Sequence, residues 1–412
     1  MAPSLFVAGS TKVRGAMRAL FVSMTALIIF AACGGGSSPT GDDGGAASGG
    51  GSGGGASATG GGSASGGGAA TGGGAANGGG SATGGGSSTG GGSASGGGAA
   101  TGGGSASGGG GGGGAMTTDA GLTPPPALPA YSGGTCPTLV FGTDGTTGRN
   151  RNFVSAGDMR EFSLLVPTSY TPTKKYPVVF GYHWLNASGN SVIRDAELTT
   201  AIEQYEFIAI VPENLMNGST KAYQFDWPFV ETMSAPKELT FFEDALTCVA
   251  AQFNVDLSHV HVFGASAGGL WTTYLSTQVP VRRVASVISI SGGLGEVLGV
   301  WEIPFVPRPN KFPAMVVWGG PTDWLGVNFD TASKAYRDAL RVDGHPVLTC
   351  VHSAGHAIPP FPAQTDGGTK FAPFWDYFRD HPLGMPSGYS PYTAGGLPPT
   401  FAGLPGTCTM VP

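Results

Sequence analysis

Past residue 160 the apolar residues come in short runs of strand length, separated by stretches with helical spacing. The runs 161–166, Tyr176–Tyr182, 207–211, 284–290, Ala314–Trp318 and 346–351 are rich in Val, Ile and Phe, and turn residues close most of them. Tyr176–Tyr182 is almost continuously apolar, which predicts burial on both faces. Between these runs, 197–204, 241–253, 331–342 and 371–379 carry helical periodicity, and 183–190 is turn-rich and reads as a loop. A further strand, led in by Asn254-Val255-Asp256, runs to Val262-Phe263 and gives way after Gly264 to a helix from Ala267 through Trp271 and Tyr274. Strands alternating with helices predict an α/β fold with a mainly parallel sheet and helices on both faces. In such sheets functional residues gather at the carboxyl ends of the strands.

The chain ahead of this pattern is different. Lys12, Arg14 and Arg18 precede residues 19–32, which are apolar except for Ser23 and Thr25, the layout of a signal peptide with Met17 as an alternative start. Its end, Phe30-Ala31-Ala32-Cys33, resembles the bacterial lipoprotein signal, with Phe30 where that signal usually has Leu. The resemblance implies lipidation of Cys33 and a membrane anchor. The other reading is an ordinary secretory signal cut after Ala32. Both place the mature chain outside the cytoplasm, as a cell-surface lipoprotein or a secreted protein.

From residue 34 to about 115 the chain is nearly all Gly, Ser, Ala and Thr, with triple glycines every six residues from Gly60 to Gly108. Such repeats hold no side chain that could build a core, so residues 34–134 read as a flexible tether, stiffened at its end by Pro124-Pro125-Pro126. About 80 residues of Gly-rich coil have a root-mean-square reach of roughly 50 Å. Residues 135–412 are then one domain with a Pro/Gly-rich tail from about residue 383. The net charge of −6 and scattered basic residues exclude a nucleic-acid stripe and favour a neutral or apolar partner. Besides Cys33 there are Cys136, Cys248, Cys350 and Cys408, an even set that predicts two disulfides with three possible connectivities. A Cys136–Cys408 bridge would tie the ends of the domain together. None of the four has metal or redox spacing.

Chemistry enters at Gly264-Ala265-Ser266-Ala267-Gly268. A serine on a sharp strand-to-helix turn needs small neighbours on both sides, exposes its hydroxyl, and aims the Ala267 N–H at the point where a negatively charged oxygen would form. Such a serine needs a histidine base and a carboxylate to orient it, in the chain order Ser, acid, His. Asp323 follows the strand Ala314–Trp318 and His356 follows the strand 346–351, both at carboxyl ends. His352 competes as base but sits against its strand; Asp330 and Asp343 compete as acid but belong to a helix.

Tyr176-Pro177-Val178-Val179, His183, Asn254-Val255-Asp256, Gly264-Ala265-Ser266-Ala267-Gly268-Gly269, Asp323 and Ser353-Ala354-Gly355-His356 together resemble the secreted esterases grouped with polyhydroxybutyrate depolymerases and feruloyl esterases. The resemblance spans most of residues 157–380. It implies an α/β-hydrolase fold, Ser266 as nucleophile, Asp323 as acid, His356 as base, and ester hydrolysis without a cofactor. It also implies a second oxyanion donor after His183. There the family usually has Gly, and this chain has Trp184, so the N–H belongs to Trp184 or Leu185. Gly319 likewise stands where the family tends to have His.

Trp184, Trp227, Trp301 and Trp324 fall near the expected site end, and Trp184, Trp324 and Trp227 are candidate walls for an aryl or polymeric substrate. The 292–309 stretch reads as a small lid or an ordinary connection. His259 and His261 share a strand face with no third ligand in reach, so no metal is expected. The expected function is an exported serine esterase acting on polyhydroxyalkanoate or on feruloyl or acetyl polysaccharide esters. The alternatives are a peptidase of the same fold, or a surface-displayed binding lipoprotein that has lost the chemistry.

Overall fold

The computed structural model describes residues 124–278, 283–297, 301–364, 366–404 and 406–411. The signal segment, Cys33 and the tether to residue 123 lie outside them, as does the Trp301 side chain.

Nine strands form one sheet: β1 (Arg149–Ser155), β2 (Asp158–Leu165), β3 (Tyr176–Tyr182), β4 (Ile208–Pro212), β5 (Val255–Ala265), β6 (Ser286–Ile290), β7 (Ala314–Trp318), β8 (Val347–Val351) and β9 (Thr407–Val411). Their spatial order is β1-β2-β4-β3-β5-β6-β7-β8-β9. The run from β4 to β8 is parallel, and antiparallel pairs close both edges, β1 and β2 on one side and β9 on the other. Every residue of β4, β6 and β7 is buried, as expected of strands covered on both faces.

Strand side chains alternate between two cores. On one face Val178, Phe180, Val262 and Val316 meet α3 (Ala235–Ala250), α4 (Ala267–Ser276) and α5 (Phe329–Val342). On the other, Val179, Phe263, Ile288 and Val317 meet α1 (Gly189–Asp195), α2 (Leu198–Tyr205) and α6 (Ala372–Arg379). α5 starts where the Asn328 side chain accepts the Thr331 N–H at 3.0 Å. α3 starts six residues before the expected 241, because Pro236 sits in its first turn, where the missing N–H costs nothing.

Several elements escape the hydrophobic pattern, β1, α1 and β9 among them. β1 is an edge strand with four of its seven residues not buried, so Arg149-Asn150-Arg151-Asn152 reads as polar loop. α1 is a single short helix inside the expected loop 183–190 and beyond. β9 lies in the expected tail and pairs with β8.

The disulfides are Cys136–Cys248 and Cys350–Cys408, not Cys136–Cys408. Cys350 and Cys408 face each other across β8 and β9, and Cys248 lies on α3, where residues 124–140 cross it. The domain also begins before residue 135: Tyr131 is buried in the core, and Arg283 donates to the Pro126 and Ala127 carbonyls at 2.9 and 3.0 Å. The 292–309 stretch forms a hairpin, Gly295–Val297 with Trp301–Ile303, bonded to α5 through Leu294 N–H to Ala332 and Ser333 Oγ to the Gly292 carbonyl.

Candidate active site

Ser266 sits between β5 and α4 with φ 55° and ψ −119°, a region strained for any residue with a side chain. The surroundings enforce it. A Cβ at Gly264 would lie 2.3 Å from the Gly268 carbonyl oxygen, and one at Gly268 would lie 2.2 Å from the Tyr182 carbonyl oxygen. Only glycines let β3, β5 and α4 close this tightly. The Ser266 N–H is fixed to the Ile290 carbonyl at 2.9 Å, leaving the hydroxyl partly exposed at the carboxyl end of the sheet.

His356 Nε2 lies 3.0 Å from Ser266 Oγ, and its Nδ1 lies 2.8 Å from Asp323 Oδ1. The Phe329 ring stacks on the imidazole with centroids 4.5 Å apart, and Asp323 has no exposed surface. Its other oxygen, Oδ2, accepts from the Gly319 N–H at 2.8 Å and the Ser291 hydroxyl at 2.7 Å. These bonds fix the carboxylate in the orientation that meets the imidazole. Gly319 has a packing reason: a Cβ there would stand 1.8 Å from the Gly355 carbonyl oxygen, where the acid and histidine loops touch. Ser291 and Phe329 carry no motif. The one signal for Ser291 is its place after β6, in Ser291-Gly292-Gly293.

The competing residues are engaged elsewhere. His352 is buried, its Nδ1 accepts the Ala354 N–H at 3.3 Å, and burial lowers its pKa. Asp330 binds Trp318 Nε1 and Lys334, and Asp343 binds Lys311 and His345. His259 is bonded to Asp256 and His261 to Ser286.

The Ala267 N–H, at the start of α4, and the Trp184 N–H have no protein acceptor among the described residues. The Trp184 side chain is half-buried and lines an apolar pocket with Val192, Ala265, Ile290, Ile358 and Phe371. Ala265 precedes Ser266, the Ile290 carbonyl accepts the Ser266 N–H, and Ile358 lies two residues after His356, so the pocket is lined by neighbours of the serine and histidine and not by those two residues themselves. Trp324 stands beside Asp323 and is 64% exposed. Trp227 does not form a wall. It is fully buried, packs edge-on against Tyr182, and donates from Nε1 to the His183 carbonyl at 2.8 Å, because an indole N–H inside the core needs an acceptor.

Residues 154–366 match the model of the Esterase family. The chain belongs to this family. It is a carboxylic ester hydrolase with an α/β-hydrolase fold. Among solved structures, native pOPH is 17% identical, with a TM-score of 0.51, over 64% of this chain and 94% of that one. Native sOPH is 18% identical, with a TM-score of 0.51, over 69% and 97%. The poly(3-hydroxybutyrate) depolymerase LpqC from Bordetella parapertussis is 17% identical over 51% and 84%, with a TM-score of 0.40. No protein of curated function matches the chain.

Proposed function

We propose that this esterase works as an exported serine hydrolase with Ser266 as nucleophile, His356 as general base and Asp323 as the acid that orients it. The observation that carries the reading is the unbroken hydrogen-bond chain from Ser266 Oγ through His356 to Asp323, at 3.0 and 2.8 Å. Ser266 Oγ attacks the ester carbonyl as its proton passes to His356 Nε2, and Asp323 stabilises the imidazolium through Nδ1–H. The tetrahedral oxyanion takes hydrogen bonds from the Ala267 and Trp184 N–H groups. On collapse the alcohol leaves with the proton from Nε2, giving an acyl-enzyme. Water, deprotonated by His356, then releases the carboxylic acid and restores Ser266.

The apolar pocket beside Ser266 suits the alkyl or aryl part of an ester, as in a hydroxyalkanoate polyester or a feruloyl ester, with the exposed Trp324 offering a flat contact for the remainder. Two disulfides support an oxidising compartment outside the cytoplasm. Among the described residues no helix is long and apolar enough to cross a membrane. A lipid on Cys33, at the end of the lipoprotein-like signal, is the proposed anchor.

The test compares wild type with Ser266→Ala on p-nitrophenyl butyrate, then on feruloyl, acetyl-xylan and polyhydroxybutyrate esters. Loss of all hydrolysis in a folded variant is expected, with feruloyl or hydroxybutyrate esters preferred by the wild type. Retained activity in Ser266→Ala would remove the assignment.

A further inference from the structure

The turn that carries Trp184 is fixed by residues that make no part of the Ser266-His356-Asp323 chain. After β3 the backbone passes through His183 to Asn186, where φ is 61°. A non-glycine residue holds that left-handed conformation only when its surroundings impose it. Here the Asn186 N–H donates to Asp226 Oδ2 at 2.6 Å. Asp226 is itself at φ 67° and has no exposed surface. Lys221, from the short hairpin of Met216–Asn217 with Thr220–Lys221, forms an ion pair with Asp226 Oδ1 and donates from Nζ to Asn186 Oδ1 at 2.6 Å.

Two carbonyls of the turn are engaged as well. His183 O accepts from Trp227 Nε1 at 2.8 Å. Trp184 O accepts from His183 Nδ1 at 2.9 Å and from the Ala187 N–H at 3.1 Å. Burial lowers the His183 pKa, so the ring stays neutral with its proton on Nδ1. The Trp184 and Leu185 N–H groups have no protein acceptor among the described residues.

We infer that Asp226, paired with Lys221, is a positioning residue for the oxyanion turn. It acts on the transition state through Asn186 without touching the substrate, and this rests on the Ser266 reading above. The ion pair explains why a carboxylate is tolerated there. A lone buried negative charge near a forming oxyanion would oppose it, and Lys221 cancels that field while binding the same Asn186 from the other side. The pair fixes the turn from outside the site and adds no net charge to it. It also assigns a role to the 216–221 hairpin, whose strand residues are exposed: it delivers Lys221.

The experiment measures kcat and KM on p-nitrophenyl butyrate, the inhibition constant of an alkyl trifluoromethyl ketone, and the melting temperature. The ketone is the probe because its adduct with a serine carries the oxyanion that the turn would bind. For Asp226→Ala we expect kcat to fall about 30-fold, KM to stay within about twofold, and the ketone to bind about 30-fold more weakly. Asp226→Asn keeps an acceptor for the Asn186 N–H and should recover kcat to within about fivefold of wild type. If Asp226→Ala does not fold, the partly exposed Lys221 decides, with Lys221→Met expected to lower kcat and ketone affinity together by about fivefold. Folded variants whose kcat and ketone affinity stay within about twofold of wild type, or whose loss is confined to KM or to melting temperature, would overturn the inference. An active Ser266→Ala would instead remove the reading beneath it. An inactive Ser266→Ala beside an unaltered Asp226→Ala rejects the positioning role alone.

Discussion

Ser291 Oγ donates to Asp323 Oδ2 at 2.7 Å, so the carboxylate that meets His356 is held from the end of β6 as well as from its own loop. The site therefore draws on four strand ends: β5 for Ser266, β6 for Ser291, β7 for Asp323 and β8 for His356. Ser291→Ala leaves Asp323 with the Gly319 N–H and frees the carboxylate to rotate. We expect kcat to drop about tenfold with KM nearly unchanged, measured on p-nitrophenyl butyrate.

Acid sensitivity should have a distinct source in the C-terminal segment. His381 is fully buried between Tyr377 and Tyr392, and burial depresses its pKa to about 4. In the neutral ring Nδ1 donates to the Tyr377 carbonyl at 2.7 Å and Nε2 accepts from the Ser390 hydroxyl at 2.7 Å. The unfolded chain binds this proton near pH 6.5 and the folded one only near 4, so stability falls as pH drops through that window. The total loss from this residue is about 3 kcal/mol, complete below both values. Urea unfolding at pH 7 and pH 4 should show a smaller pH-dependent loss in His381→Gln than in wild type.

Cys350 lies two residues before His352 on the strand that leads to His356, and its disulfide pins β9 as the sheet edge. Replacing Cys350 and Cys408 together by Ser should cost roughly 2–4 kcal/mol of stability in thermal unfolding. Activity at low temperature should survive, because β8 keeps its pairing with β7.

Arg160 and Glu238 form an ion pair with each side chain 1% exposed, and the guanidinium lies over the Phe241 ring at 4.1 Å. Arg160→Ala strands a buried carboxylate and should cost about 3–5 kcal/mol, whereas the double replacement Arg160→Met with Glu238→Leu should cost much less. Chemical denaturation of both variants checks the difference.

The sheet interior was legible because Phe180, Val262, Val316 and their neighbours are buried on both faces and read as continuous apolar runs. The edges were not, since β1 shows polar residues to solvent and β9 follows a Pro/Gly-rich stretch. Ser266, Asp323 and His356 stood out by motif, chain order and strand-end position, and they share one hydrogen-bond chain in the structure. Trp227, a candidate wall by its place near the site end, is core in the structure, because an aromatic residue there carries no mark in the sequence of which way it faces. The Asp226-Lys221 pair was invisible, since its meaning lies in contacts with Asn186, 40 and 35 residues away in the chain. The disulfides were countable, but their pairing depends on strand register and on where residues 124–140 cross α3.

The most direct measurement is labelling with a fluorophosphonate followed by peptide mass analysis, alongside residual hydrolysis of p-nitrophenyl butyrate. One phosphonyl group on Ser266, with activity lost in proportion and no labelling of Ser266→Ala, is the expected result. Full activity after complete labelling, or a label on another serine while Ser266 stays free, would contradict the assignment of Ser266 as nucleophile.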